Sequence, residues 1–410
     1  MKKLLLVLLI LSLFINHLNA NEKDLKIIQK DKKEYRLLDK ESIQTRQQSQ
    51  KYDWISPIDL SGNIGRNHSF SDENSRNLNN KNTKSASIGF TQSIFESGGI
   101  GFKMDYADNR FKYEMLSWEN QNSQLIYTIY NTLLDIKKLK LEINQNDYRI
   151  VNKDIELIIK KIQYEAGKTD IIELNNAIMS KNLILKEEIA LKNSLKEKEQ
   201  ELAKYTDLKY DEIEILDFQE TNKDIFLDKN YSILEADAKV EMLNSEYKIK
   251  KSQYLPKLSL SAKASYSNQD EKFNSMINDT NKDDATSSGS LILSMPLYDY
   301  TKSSKIQESK IEVLKQKALV NDLKNETAFE YEQIFTKIDT YLKQNETINK
   351  NIKLYEELIG ANQISSEAGM TSKYDLEILE NTKTINEFDI LINKINILQQ
   401  YAKLYFKIKN

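Results

Sequence analysis

Apolar and polar residues alternate in four short stretches of this chain, strictly in the first. In the first, Ile58, Leu60, Gly62 and Ile64 fall on one side, with Asp59, Ser61, Asn63 and Gly65 on the other. A second sets Ala86, Ile88 and Phe90 against Ser85, Ser87, Gly89 and Thr91. The third sets Leu258, Leu260, Ala262, Ala264 and Tyr266 against Lys257, Ser259, Ser261, Lys263 and Ser265. In the fourth, Leu291, Leu293 and Met295 oppose Ser290, Ile292 and Ser294. A period of two with small polar residues on one face predicts strands like those of membrane barrels, although a soluble hairpin with one buried face alternates in the same way. The stretches between paired strands, 67–77 and 268–284, are polar and without period, and read as long loops.

Elsewhere the spacing is that of helices. From about Gly101 to Glu165 apolar residues recur at three and four, as in Ile126, Ile129, Leu133, Ile136 and Leu139. At 1.5 Å per residue this helix would be on the order of 100 Å long, and its partner, about Ile171 to Tyr205, roughly 50 Å. A further helix is predicted over about Tyr231 to Gln253, after an irregular segment 207–228. A second long helix (about Thr301 to Ser366) and a second short one (about Ser372 to Lys407) follow, and the stretch 22–51 predicts an N-terminal helix. Helices this long with narrow apolar seams pack as coiled coils. The fold class is therefore mainly α with a small membrane β part: long coiled-coil helical hairpins plus four amphipathic strands.

The chain also repeats itself. Trp54-Ile-Ser-Pro-Ile-Asp-Leu-Ser-Gly62 aligns with Tyr254-Leu-Pro-Lys-Leu-Ser-Leu-Ser-Ala262 at an offset of 200 residues. Ser85-Ala-Ser-Ile-Gly-Phe-Thr-Gln-Ser-Ile-Phe95 aligns with Ser288-Gly-Ser-Leu-Ile-Leu-Ser-Met-Pro-Leu-Tyr298 at 203, and Glu165-Ala-Gly-Lys-Thr169 with Glu367-Ala-Gly-Met-Thr371 at 202. Three matches in one order at nearly one offset indicate a duplicated half, far longer than a solenoid repeat. Pro57, Pro256 and Pro296 all stand at strand ends, where a missing N–H does least harm. Gly360 alone interrupts a helical stretch.

The first residues suggest a route out of the cell. Lys2-Lys3, an apolar run from Leu4 to Ile15 and Asn16-His-Leu-Asn-Ala20 have the form of a secretory signal, expected to be cut near residue 20. No later run approaches the length of a membrane-spanning helix. The formal charge is -3, and loss of the two lysines makes it -5, which argues against nucleic acid as a partner. The chain has no cysteine, and His68 is the one histidine beyond the signal. Zinc and Ser-His or Cys-His chemistry need more than this. Neither a cofactor nor enzymatic activity is expected. Four strands cannot close a barrel and open edges are not tolerated in lipid, so several chains would have to close one between them.

Gln92-Ser-Ile-Phe-Glu-Ser-Gly-Gly99, Tyr254-Leu-Pro-Lys-Leu-Ser-Leu260, Met295-Pro-Leu-Tyr-Asp299 and the two Glu-Ala-Gly turns together resemble the TolC-like outer membrane factors, over essentially the whole mature chain. The resemblance implies a homotrimer with a β-barrel in outer-membrane lipid and an α-barrel through the periplasm. It further implies docking with a periplasmic adaptor protein and an inner-membrane transporter, for small-molecule efflux or type I secretion of proteins. It divides the chain into a signal peptide (1–20), an N-terminal helix (21–53), a first strand pair (54–97), a first helical hairpin (98–206), an equatorial segment with a helix (207–253), a second strand pair (254–299) and a second hairpin (300–410). The N-terminal helix departs from the family in being short and polar. By resemblance, Gly167 and Gly369 are hairpin turns. Acidic residues six positions on are Glu173, on the outer hairpin, and Asp375, on the inner one. Three copies of Asp375, with Glu377 and Glu380 close by, would form an anionic entrance ring favouring cations. Lys168 and Met370 beside the turns are adaptor-contact candidates. A periplasmic or surface coiled-coil protein of structural or adhesive type accounts for the helices, but not for two alternating hairpins recurring at one offset.

Overall fold

A computed structural model describes residues 24–70, 78–216, 218, 220–270, 282–367 and 372–409. The expected signal peptide, the centres of both predicted loops, and Gly369 and Met370 lie outside the described residues. A 3-10 turn, Asp24–Ile27, leads into helix α1 (Lys30–Tyr52). Strands β1 (Asp59–Phe70) and β2 (Leu78–Phe95) are followed by α2 (Gly99–Glu165) and α3 (Ile171–Ala203). Then come a short α4 (Lys223–Asp228), α5 (Tyr231–Ser252), β3 (Lys257–Asp270), β4 (Lys282–Ser294), α6 (Lys302–Glu367) and α7 (Lys373–Phe406). The helical hairpins and the four amphipathic strands are those read from the sequence.

Two expectations are corrected. The strands run into stretches expected to be loop, since β1 extends to Phe70 and β4 begins at Lys282. Apart from Phe70 the residues there are polar, so the hydrophobic period disappears while the backbone ladder, which does not depend on side chains, continues. The segment 207–228, read as irregular, ends in α4, whose first turn is capped by Asn222 Oδ1 accepting from the Asp224 N–H at 3.0 Å. Gly360 lies inside α6 without breaking it, and a side chain there would meet nothing, so no packing reason for it exists among the described residues.

The chain divides into two compact units. The first comprises 1–40, 116–234 and 322–410. On α2, Ile129, Leu133, Leu134 and Ile136 are fully buried, which is the helical periodicity turned into core. A second cluster gathers Phe226 of α4, Ile334 and Ile338 of α6, and Leu404 and Ile408 at the end of the chain. Farther along, amide side chains join the helices. Gln145 Nε2 donates to Asp389 Oδ1 at 2.6 Å, and Asn393 Nδ2 to Asn345 Oδ1 at 2.9 Å. Polar pairs in an otherwise apolar seam fix register, because any sliding leaves them unpaired.

The polar N-terminal helix buries Ile43 and is held further by hydrogen bonds and ion pairs. Arg36 of α1 is buried, donating to Asn122 Oδ1 at 2.6 Å and to the Trp118 carbonyl at 2.9 Å. The Trp118 indole N–H returns a bond to the Arg36 carbonyl at 2.8 Å. In the second unit (41–115 and 235–321), Lys51 pairs with Asp108 at 3.0 Å and Arg46 with Glu114 at 3.0 Å.

The first unit also holds a charge cluster invisible to sequence reading. Glu330 of α6 receives Lys403 at 2.8 Å and Lys407 beside it. Burial pushes the Glu330 carboxyl up, but the hydrogen bonds from Lys403 and Lys407 and their charges outweigh it, so its pKa lies below the ordinary 4.5. A depressed carboxylate contributes stability that is present above its unfolded pKa and is lost as pH falls through the folded one. The gap in thermal midpoint between the natural protein and Glu330→Gln should therefore be constant at neutral pH and narrow below 4.5. A gap that does not change on acidification would show that the cluster contributes nothing.

Candidate channel wall and hairpin tips

The four strands form one antiparallel sheet in the order β1-β2-β3-β4, so the outer edges of β1 and β4 have no partner strand within it. Its register brings the four alternating patterns into alignment. Leu60 faces Ile88, Ile88 faces Ala264, Leu260 faces Leu291 and Leu258 faces Leu293. Directly opposed residues share a face, so all these lie on one side, and Leu60, Leu291 and Leu293 are well exposed there. A bulge at Ile94 places Phe95 opposite Leu258 on the same side. Gln92, the polar exception, turns its amide back on the backbone: Nε2 donates to the Trp54 carbonyl and Oε1 accepts from the Ser56 N–H, both at 2.9 Å. That satisfies polar groups which lipid could not.

The other face is a hydroxyl wall. Ser61 and Ser87 meet at 2.8 Å, Thr91 and Ser261 at 3.0 Å, Ser93 and Ser259 at 3.3 Å, and Ser265 and Thr286 at 2.7 Å. Such pairs bridge neighbouring strands and present a neutral wettable surface. Asp59, Gly89 and Lys263 share one row of it. A Cβ on Gly89 would come within 3.0 Å of the Ala262 carbonyl and 3.3 Å of Lys263 Cβ, so glycine is needed there for space. Sequence reasoning placed Lys263 on the polar side without marking it as a charge on the wall.

Gly167 is needed for conformation instead. Its φ is +66°, and nothing stands near its missing Cβ. It ends α2 in a left-handed turn, with the Lys168 N–H bonded to the Gln163 carbonyl at 2.8 Å and the Gly167 N–H to that of Tyr164 at 2.9 Å. This is the Schellman arrangement, which a helix ends on when the next residue can take positive φ. Asp170 then caps α3 by accepting from the Glu173 N–H at 2.9 Å. Lys168 is exposed beside the turn. The Glu173 carboxylate meets Lys160 at 2.9 Å, so its charge is engaged within its own hairpin.

At the second hairpin Ser372 caps α7, accepting from the Tyr374 N–H at 3.2 Å. Asp375 lies in the first turn, where its charge also suits the helix dipole. Asp375, Glu377 and Glu380 are all exposed. At about 100° per residue, Glu377 and Glu380 share a face, whereas Asp375 points roughly opposite, so one helix does not present all three together.

Residues 224–403 match the family described as outer membrane efflux protein. No curated protein matches the chain. Among solved structures, the CmeC outer membrane channel of Campylobacter jejuni is similar with a TM-score of 0.70 at 12% identity, over 92% of this chain and 84% of that one. The outer membrane protein VceC of Vibrio cholerae gives 0.70 at 14%, over 93% and 94%. The open state of the MtrE outer membrane channel of Neisseria gonorrhoeae gives 0.67 at 11%, over 94% and 86%. Such identities speak for fold. The chain therefore shares the fold of these outer membrane channels, and its residues 224–403 match the outer membrane efflux protein family.

Proposed function

We propose that three copies of this chain close one β-barrel and one helical tunnel, forming the exit duct of an efflux or type I secretion system. The observation that carries this reading is the sheet. One face is apolar and exposed, the other is hydroxyl-lined, and both edges lack a partner strand within the sheet. Lipid tolerates such a sheet only when it is closed, and oligomerisation closes it. An inner-membrane transporter would supply substrate and energy, and a periplasmic adaptor would dock at the hairpin tips, with Lys168 and Met370 as contacts.

Asp375 is the proposed entrance residue, appearing three times around the axis, with Glu377 and Glu380 as the alternatives on the other side of the helix. In planar bilayers the detergent-solubilised trimer should conduct, prefer cations, and be blocked by di- and trivalent cations from the side of the helical tips. Asp375→Asn should relieve the block and lower the cation preference without altering assembly. Glu173→Gln should change the block much less, since Lys160 already neutralises that carboxylate. Unchanged block in Asp375→Asn would place the entrance elsewhere, and a monomer without conductance would end the channel reading.

A further inference from the structure

We infer that the next copy of the chain joins β4 through its β1 in a single register, in which Ser294 faces Ser61, Leu293 faces Gly62 and Leu291 faces Ile64. The inference rests on the oligomeric barrel proposed above and adds the residues of the contact.

It begins with the duplication, which holds in the sheet rung by rung. Moving a β1 position by 200 residues and a β2 position by 203 converts the rung Leu60–Ile88 into Leu260–Leu291. Likewise Ser61–Ser87 becomes Ser261–Ser290, and Asn63–Ser85 becomes Lys263–Ser288. Each derived rung is one that β3 and β4 make. The two hairpins are therefore equivalent in register as well as in sequence.

A closed barrel requires a strand tilt and stagger that agree around its circumference. If hairpins are equivalent, each step from one hairpin to the next carries the same stagger. The step within the chain is the β2–β3 junction, where Thr91 faces Ser261, Phe90 faces Ala262 and Ile88 faces Ala264. The same offsets convert these into Ser294–Ser61, Leu293–Gly62 and Leu291–Ile64. Faces then match, apolar with apolar and hydroxyl with hydroxyl. A slip of one residue would set Leu293 against Ser61 or Asn63 and is excluded by the alternation. A slip of two preserves the faces and is the competitor to be tested.

Two further observations fall on this edge. Just past β4, Leu297, Tyr298 and Tyr300 are 91%, 85% and 86% exposed. Their counterparts at the end of β2 are Ile94, Phe95 and Ser97, and Ser97 Oγ donates to the Pro256 carbonyl at 2.7 Å. Under the offsets, Tyr298 and Tyr300 lie over Ser56 to Ile58 of the next copy, which removes these aromatic rings from water. In the same approach to β1, the Trp54 indole N–H is buried without an acceptor among the described residues.

Because the natural chain has no cysteine, the register can be read by disulfide trapping. Positions 294 and 61 are on opposite edges of one sheet, at least three strand spacings or about 14 Å apart, beyond the roughly 7 Å a disulfide can span, so any bond joins two chains. Ser294→Cys with Ser61→Cys, and Leu291→Cys with Ile64→Cys, sample both kinds of antiparallel rung. Oxidised in membranes and run without reductant, these pairs should give covalent dimers and trimers. Pairs shifted by two, Ser294→Cys with Asp59→Cys or Asn63→Cys, should give about tenfold less. Efficient trapping in a shifted pair, or in no pair while scattering in detergent still counts three chains, would overturn the register and leave the oligomer standing. Particles of one chain for the unmodified protein would remove the oligomer itself.

Discussion

Arginine in place of Leu260 should destabilise the membrane-embedded protein by about 2–4 kcal/mol per chain. Leu260 stands between Gln92 of β2 and Leu291 of β4 on the apolar face, and its neighbours there are already satisfied, so the guanidinium would find lipid on one side and leucine on the other. In an assembly of three copies the cost recurs in each. Ser261→Arg, one residue along the same strand, turns to the hydroxyl wall, where the charge meets water and the side chains of Thr91 and Ser290. That change should leave folding within about 1 kcal/mol and show itself in conductance. Denaturant titration of both variants in lipid vesicles, with single-channel recording of the second, separates the two faces. Similar losses at Leu260 and Ser261 would mean that the apolar face does not meet lipid.

The strands were legible because each buries or exposes one face at a time. Leu258, Leu260 and Ala262 alternate with Ser259, Ser261 and Lys263 without interruption, and the register aligns them with Leu291 and Ile88 as the alternation requires. The long helices were legible for a similar reason, since Ile129, Leu133 and Ile136 repeat at helical spacing and lie in the core. Where side-chain polarity no longer varies, the sequence stopped short: residues 67–70 of β1 carry no hydrophobic period, although they pair in the ladder with 78–81. Contacts between segments far apart were also hidden. Nothing local to Arg36 announces Trp118 and Asn122, and nothing local to Glu330 announces Lys403 and Lys407. At the tips, Gly167 was legible as a turn because only a residue at ease with positive φ ends α2 in this way. The acidic residues there were less so. The resemblance singled out Glu173 on the outer hairpin and Asp375 on the inner one, but not that Lys160 occupies the first, whereas no ion pair to the second is found among the described residues.

Phe226→Ala should be the most damaging single substitution in the first unit, costing about 3–5 kcal/mol. Helix α4 has only six residues, too few to persist unaided, so its place depends on what Phe226 buries. The ring is fully enclosed by Ile334 and Ile338 of α6 and by Leu404 and Ile408, and lies 5.6 Å from the Tyr331 ring. The long helix on one side cannot collapse into the vacated space, which puts the cost toward the upper end for a change of this kind. Loss of the anchor should also loosen the end of the chain. The Lys409 N–H donates to the Lys229 carbonyl at 2.8 Å and the Tyr231 N–H to that of Lys407 at 2.9 Å, so α4, its flanking residues and the C-terminus are tied as one cluster. Phe226→Leu, which keeps most of the volume, should recover more than half of the loss. Chemical denaturation of the solubilised protein measures the two variants against the natural chain, and amide exchange at residues 229–231 and 407–409 reads the loosening. If Phe226→Ala unfolds within about 1 kcal/mol of the natural protein, the cluster is not what holds α4 in place.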